Sequence, residues 1–197
     1  DFRKDLTQIG SLFMDMMNTA VKKEKEFDVA SPFGDKIEFT HTEEVAAANV
    51  DNIIVELPNG NFSLESSEGE TIQVLCKVKA PLMNESEEET RNHFLEQFVV
   101  KEEAQSLRIL SQLKLVQVNV KVLVPKDKLE KLSVRLMNGS VSLQDTEFEE
   151  LKVKTLNGAI KGTKFNFGKA EVDSSNGSIE LTNVRGKDLE AETLNGR

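Results

Sequence analysis

Apolar residues open the chain at helical spacing. Phe2, Leu6, Ile9, Phe13, Met16 and Ala20 follow a 4-3-4-3-4 rhythm, and Leu12, Met17 and Val21 broaden the stripe. This pattern predicts an amphipathic helix over residues 1–26. Lys22, Lys23 and Lys25 then fall in its last turn, where cations suit the helix dipole. Ser31-Pro32-Phe33-Gly34 reads as a turn, and beyond it the period drops to two. Lys36–Thr40 alternates, and so does Ile53–Leu57, which turns at Pro58-Asn59-Gly60 and returns through Phe62 and Leu64. Ile72, Val74, Cys76 and Val78 share one strand face. A capping box, Ser86-Glu87-Glu88-Glu89, opens a second helix of about residues 85–97, with Phe94, Leu95 and Phe98 as its apolar patch. Strands resume at Leu107–Leu110. The clearest strand follows, with Val116, Val118, Val120, Val122 and Val124 on one face and Pro125 at its end. Lys126–Lys131 is a charged connector.

From Leu132 onward the pattern repeats. Asn138-Gly139, Asn157-Gly158, Asn176-Gly177 and Asn195-Gly196 recur every 19 residues. The repeats run Leu132–Glu150, Leu151–Lys169, Ala170–Asp188 and, incomplete, Leu189–Arg197. Positions 1 and 3 of each are apolar: Leu132 and Val134, Leu151 and Val153, Ala170 and Val172, Leu189 and Ala191. Position 10 is Val141, Ile160 or Ile179. Strands this short cannot bury a face alone, whereas stacked copies share one continuous core. Two architectures fit. One is a single-stranded β-solenoid with 19-residue rungs, about 4.8 Å apart. The other is an array of Asn-Gly hairpins. The solenoid is the expectation, because identical spacing through both turn and return serves stacking. Residues 27–197 then form a mainly β domain, with the 85–97 helix inserted and the N-terminal helix packing on it or capping it. An earlier copy, Ile53 to Leu64 around Asn59-Gly60, lies four periods plus three residues before Asn138, so intervening material interrupts the repeat.

Stacking accounts for the repeated dipeptide. Asparagine amides one rung apart can donate and accept along the axis as a ladder, and glycine permits a positive φ at the corner. Asn138, Asn157, Asn176 and Asn195, with Gly139, Gly158, Gly177 and Gly196, are therefore read as structural. Outward positions stack too. Position 2 runs Ser133, Lys152, Glu171, Glu190 and position 4 runs Arg135, Lys154, Asp173, Glu192, so basic side chains on the second rung should meet acids on the third. Glu171, Asp173, Glu190 and Glu192 gather at the C-terminal end, as a solvated face or a cation site. The half-rung at Asn195-Gly196-Arg197 exposes a strand edge, which invites association. The expectation is that further rungs follow or that another chain covers this edge.

Composition narrows the functions. The net charge is −9, from 34 acidic and 25 basic residues, which weighs against nucleic acid as a partner because phosphate contacts need clustered Lys and Arg. There is no Trp and no Tyr, which weighs against a glycan groove built on aromatic platforms; the 11 Phe supply the aromatic packing. Cys76 is the only cysteine, so no internal disulfide forms, and it reads as a small buried hydrophobe. No run of about 18 apolar residues exists, so no transmembrane helix is expected in this chain. His93 lacks ligands at metal spacing, with His41 distant in the chain and no Cys or carboxylate set beside it. No Ser/His/Asp set, glycine-rich phosphate loop or CxxC is present. The expectation is no catalytic residue, no metal site and no cofactor.

The strand-Asn-Gly-strand repeat, preceded by a strand ending in Val124-Pro125-Lys126, resembles a bacterial β-strand-repeat family, a domain of unknown function labelled candidate adhesin or LiaG-like. The chain looks most similar to its YvlB-like members. The resemblance covers about residues 27–197. It implies a β-solenoid associated with the cell envelope and its stress responses, with membrane-linked partners, and it carries over no catalytic motif. The two helices depart from the family's core pattern.

The functional expectation is a non-enzymatic structural or interaction module of the bacterial cell envelope. The alternatives are a surface adhesin for glycan or protein and, more remotely, a β-helix enzyme acting on polysaccharide. The partner is an unidentified protein, or a second copy meeting through the N-terminal helix or the open C-terminal edge. The N-terminal stripe itself has three readings: it covers the core, pairs with another helix, or lies on a membrane surface. Cytoplasmic or membrane-associated placement is expected. The alternative is an extracytoplasmic domain anchored through sequence upstream of Asp1.

Overall fold

The computed structural model describes residues 34–126 and 129–197. The helix expected over 1–26, and its packing or capping role, lie outside the described residues. Lys36–Arg197 forms one unit around one hydrophobic core. It is mainly β. Its strands are β1 Lys36–Ala46, β2 Asn52–Asn59, β3 Phe62–Ser67, β4 Thr71–Pro81, β5 Phe98–Glu103, β6 Ser106–Ser111, β7 Gln117–Pro125, β8 Leu129–Asn138, β9 Val141–Asn157, β10 Ile160–Asn176, β11 Ile179–Thr182 and β12 Arg185–Thr193. One α-helix stands among the described residues, α1 at Glu87–Gln97, and a 3-10 turn spans Ala47–Asn49.

The C-terminal half is joined by parallel pairing. Leu132 of β8 pairs with Leu151 of β9, which pairs with Ala170 of β10, which pairs with Leu189 of β12. Val141, Ile160 and Ile179 form a second such series. Successive hairpins would pair antiparallel, so this alternative fails. β9 and β10 are 17 residues long, not the two short strands that the alternation suggests. They stay hydrogen-bonded through their bends because the neighbouring strand bends at the same place. In β9, Val141, Leu143, Thr146, Phe148, Leu151, Val153 and Thr155 point inward, and the pairs 144–145, 149–150 and 156–157 both face out. Two outward residues in succession mark a corner. At one of these corners Asp145, Lys164 and Asn183 all take φ of 52° to 55°, the left-handed region that reverses the pleat.

The interrupting material forms levels of its own. β2 pairs in parallel with both β6 and β8, and β3 with both β7 and β9. The early Asn-Gly copy therefore sits between the β6–β7 segment that follows it in sequence and the regular repeats. Beyond β6 and β7 the pairing turns antiparallel: β4 on β7, β1 on β4, and β5 on β6. This end carries α1. Ser86 is its N-cap, accepting from the Glu89 amide at 3.2 Å. The reciprocal arm of the expected capping box is absent, since Glu89 instead accepts from the Asn84 side chain. Phe94 of α1 is fully buried, stacked on Phe98 at 5.0 Å and edge-on to Phe39 at 5.3 Å. Burial of one such ring contributes about 1.5–3 kcal/mol.

At the opposite end lies β12. β12 pairs only with β10 among the described residues. Leu189 and Ala191 occupy inward positions by sequence, yet both are exposed, Leu189 by 47%. Their counterparts one level down, Ala170 and Val172, are buried. No strand among the described residues lies over Leu189 and Ala191.

Candidate functional site

The four repeat asparagines form one exposed column. Asn157 Nδ2 donates to Asn138 Oδ1 at 2.8 Å, Asn176 to Asn157 at 2.9 Å, and Asn195 to Asn176 at 2.9 Å, each across 19 residues. Asn59 pairs in register with Asn138, but its amide donates to the Lys114 carbonyl. The backbone continues the same column: the Gly139 amide donates to Asn157 O at 2.9 Å, and Gly158 to Asn176 O at 3.1 Å.

The glycines answer to a different constraint from the one expected. Among Gly60, Gly139, Gly158, Gly177 and Gly196, only Gly60 (φ +135°) and Gly158 (φ +159°) have positive φ. What they share is contact. A Cβ on Gly139 would lie 1.7 Å from the Gly60 carbonyl oxygen, on Gly158 1.9 Å from that of Gly139, on Gly177 2.0 Å from that of Gly158, and on Gly196 1.9 Å from that of Gly177. Close backbone stacking excludes any side chain there. A positive φ is not the general cause.

A second polar column lies inside the corner. Thr155 Oγ1 donates to Gly139 O at 2.8 Å, Ser174 Oγ to Gly158 O at 2.9 Å, and Thr193 Oγ1 to Gly177 O at 2.8 Å. Thr155 and Ser174 are fully buried. A buried carbonyl without a donor costs about 1–3 kcal/mol, so the hydroxyls stabilise the corner. Sequence reasoning missed them. Their signal was a hydroxyl at position 5 of three successive repeats, where Leu57 and Leu136 stand in the lower ones.

Outward charges pair from level to level. Lys131 meets Glu150 at 3.4 Å, Lys152 meets Glu171 at 3.8 Å, and Lys154 meets Asp173 at 3.7 Å. Glu171 and Asp173 therefore belong to ion pairs, while Glu190 and Glu192 lie beside them in register as further acids. The acidic group at the C-terminal end is divided in this way between ion-paired acids on β10 and further acids on β12.

Other candidates are placed elsewhere. Cys76 is buried on β4, and burial, with Glu43 adding to it, raises its thiol pKa far above the ordinary value. His41 is brought to α1, edge-on to Phe94 and Phe98 at 6.4 and 6.3 Å, though distant from His93 in sequence. Among the described residues no group of three or more His, Cys, Asp or Glu is placed to hold a metal. A shallow polar cavity of about 220 Å³ opens at the left-handed corner, lined by Ser66, Lys126, Asp145, Glu147, Lys164 and Asn166 among others. There Ser66 Oγ donates to Asp145 at 3.2 Å. No helix among the described residues is long and apolar enough to cross a membrane.

Residues 45–197 match the model of the Toastrack DUF4097 family. The uncharacterised protein YvlB of Bacillus subtilis is 27% identical over 133 residues, covering 68% of this chain and 36% of that protein, so the chain spans little more than a third of its relative. Two solved structures are similar at 10% identity. A candidate cell-adhesion protein from Clostridium sporogenes has a TM-score of 0.44, covering 82% of this chain and 100% of its own. A candidate adhesin from Parabacteroides distasonis has 0.45, covering 79% and 70%.

Proposed function

The chain belongs to the Toastrack DUF4097 family, and from that premise we propose that it is a non-enzymatic structural and interaction module of the bacterial cell envelope, built as a β-solenoid of 19-residue rungs. The observation that carries this reading is the disposition of the outward polar groups. Asparagine amides bind asparagine amides, and lysines bind acids one rung away. These groups are spent on holding neighbouring rungs in register, and the result is a stiff surface. An active site asks for the opposite, polar groups converging on a reacting atom. The asparagine and glycine columns act as scaffold in this reading, and recognition falls to the outward faces.

The test is site-specific photo-crosslinking of the full-length protein in its native cell, with probes on each outward face, beside a glycan array and a polysaccharide-release assay. The expected result is recovery in the envelope fraction with a protein crosslinked from one face only. Saturable glycan binding without any position-specific crosslink would replace this reading with an adhesin for sugars. Release of sugar from polysaccharide would replace it with an enzyme.

A further inference from the structure

We propose that the cavity at the left-handed corner binds a small zwitterion of amino-acid size, one that carries an ammonium group, a carboxylate and an aliphatic side chain. The cavity measures about 220 Å³. Pockets for drug-sized molecules run to about 300–1,000 Å³, so this one suits a smaller guest. Its apolar side is made by Val124 of β7, Leu129 of β8 and Phe148 of β9, all buried. Thr146 stands in the same wall. It is only 8% exposed, and its hydroxyl is buried without a hydrogen-bond partner. Buried polar groups are nearly always paired, so an orphan hydroxyl in a cavity wall points to a guest that pairs it. Packing does not ask for this hydroxyl. Position 15 of the repeat is apolar on the next levels, where Thr146 pairs with Phe165 and Val184 follows 19 residues later. Valine has the shape of threonine and would serve the core as well.

The charged groups narrow the guest's chemistry. Lys126, Asp145, Glu147 and Lys164 line the cavity, two of each sign. Among the described residues none of these four forms an ion pair, although Lys121 of β7 meets Glu65 of β3 at 2.8 Å on the same two strands that end at the cavity. Asp145 and Lys164 lie on adjacent levels, between the register pairs Gln144–Thr163 and Thr146–Phe165. Asp145 is engaged instead by Ser66, whose Oγ donates to it at 3.2 Å. A cavity lined equally by both signs gains little from a simple anion or a simple cation, because each attraction is met by a repulsion. The two lysines weigh in the same way against a metal ion. A zwitterion uses both signs. Its ammonium would face Asp145 and Glu147, and its carboxylate would face Lys126 and Lys164 and accept from the Thr146 hydroxyl. Its aliphatic part would lie over Leu129 and Phe148.

The probes are L-leucine and D-leucine, with 4-methylpentanoate and 3-methylbutylamine as controls that keep one charged group each. All four are titrated against the full-length protein by saturation-transfer-difference NMR. The expected result is saturable binding of at least one leucine enantiomer, with each control weaker by about fivefold or more. Thr146→Val removes the buried hydroxyl and keeps its shape. Val184 already holds the equivalent place, so this variant keeps its fold by circular dichroism and weakens leucine by about fivefold. Asp145→Asn and Lys164→Asn each remove one charge and install the residue type that the same corner carries at φ 55° in Asn183. Each should weaken leucine by about threefold. Lys164→Asn should not weaken 3-methylbutylamine, which has no carboxylate for the lysine to meet. Failure of both leucines to bind, or a control that binds as well as leucine, would overturn the proposal. So would full leucine affinity in Thr146→Val, which would make the hydroxyl a packing defect or the seat of a water. Crosslinking on the outward faces is independent of these outcomes, so the cavity and the interaction module can fail separately.

Discussion

The Asn61 side-chain oxygen accepts a hydrogen bond from the Ser140 amide at 2.9 Å, although 79 residues separate the two. Asn61 itself donates its backbone N–H to Asn119 Oδ1 at 2.9 Å. Three segments distant in sequence thus share one edge of the Asn-Gly corner. The early copy of the repeat is a level inside the stack, flanked on one side by β7 and on the other by β9. Pairs of this kind tie neighbouring levels together, so damage at one corner is felt by the levels on both sides.

Glycine substitutions separate crowding from backbone conformation. Gly139→Ala should destabilise by about 3 kcal/mol or more, because the new methyl meets a backbone oxygen that cannot move without shifting a strand. Gly139 lacks a positive φ, so conformational strain predicts little effect there. Gly69→Ala, whose Cβ would make only ordinary contacts at 4.0 Å, should stay within about 0.5 kcal/mol. Urea melts of the two variants decide between the accounts, and a tolerated Gly139→Ala would remove the crowding argument.

The asparagine column should be unequal along its length. Asn157 both donates to Asn138 and accepts from Asn176, whereas the bond of Asn195 runs to Asn176 alone. Asn157→Ala should cost roughly 1–2 kcal/mol and Asn195→Ala about half as much. Equal shifts in denaturant midpoint would argue that the amides do not stabilise through stacking.

The buried hydroxyls give a sharper contrast. Thr155→Val keeps shape and removes the donor to the Gly139 carbonyl, leaving that oxygen short of a partner, at a cost of about 1–3 kcal/mol. Thr155→Ser keeps the donor and should recover most of the loss. Thermal unfolding of the pair checks this, and similar melting of both variants would show that the hydroxyl is incidental.

Cys76 should be inert while the protein is folded. Its thiol pKa is raised by desolvation first and by Glu43 second, so the folded state holds the proton at pH values where an unfolded cysteine, near 8.5, gives it up. Above that value the unfolded state binds fewer protons than the folded one, and stability falls as pH rises, by at most about 1.4 kcal/mol per pH unit from this group. Thiol-directed labelling should be slow without denaturant and fast with it. Cys76→Ala should flatten the decline in urea midpoint between pH 8 and 10 relative to the unsubstituted chain. An unchanged slope would mean that the thiol titrates normally.

Much of this was legible in the residues. Alternation at Val116 to Val124, at Leu132 and Val134 and at Leu151 and Val153 identified inward positions, because a strand side chain points to one face or the other whatever its neighbours are. The 19-residue spacing identified which residues become neighbours, and Lys152 and Lys154 duly face Glu171 and Asp173. The candidate site was legible as a column of asparagines. It was not legible why glycine follows them, because a carbonyl 1.7 to 2.0 Å from an imagined Cβ belongs to another level and leaves no mark in local sequence. The hydroxyl column was overlooked for the same reason, since its acceptors lie on the level below.

What the sequence determined by itself is therefore local and periodic: strand faces, the repeat length, the acidic balance and a short capped helix, read at about 85–97 and found at Glu87–Gln97. What only tertiary structure decided is the order of stacking. Nothing in the residues from Ile53 to Leu64 says that β2 lies between β6 and β8 and β3 between β7 and β9. Periodicity specifies which side of a strand is inward. Whether that side is covered depends on which strand comes to lie over it, and that is settled by hydrogen bonding and burial between segments far apart in the chain.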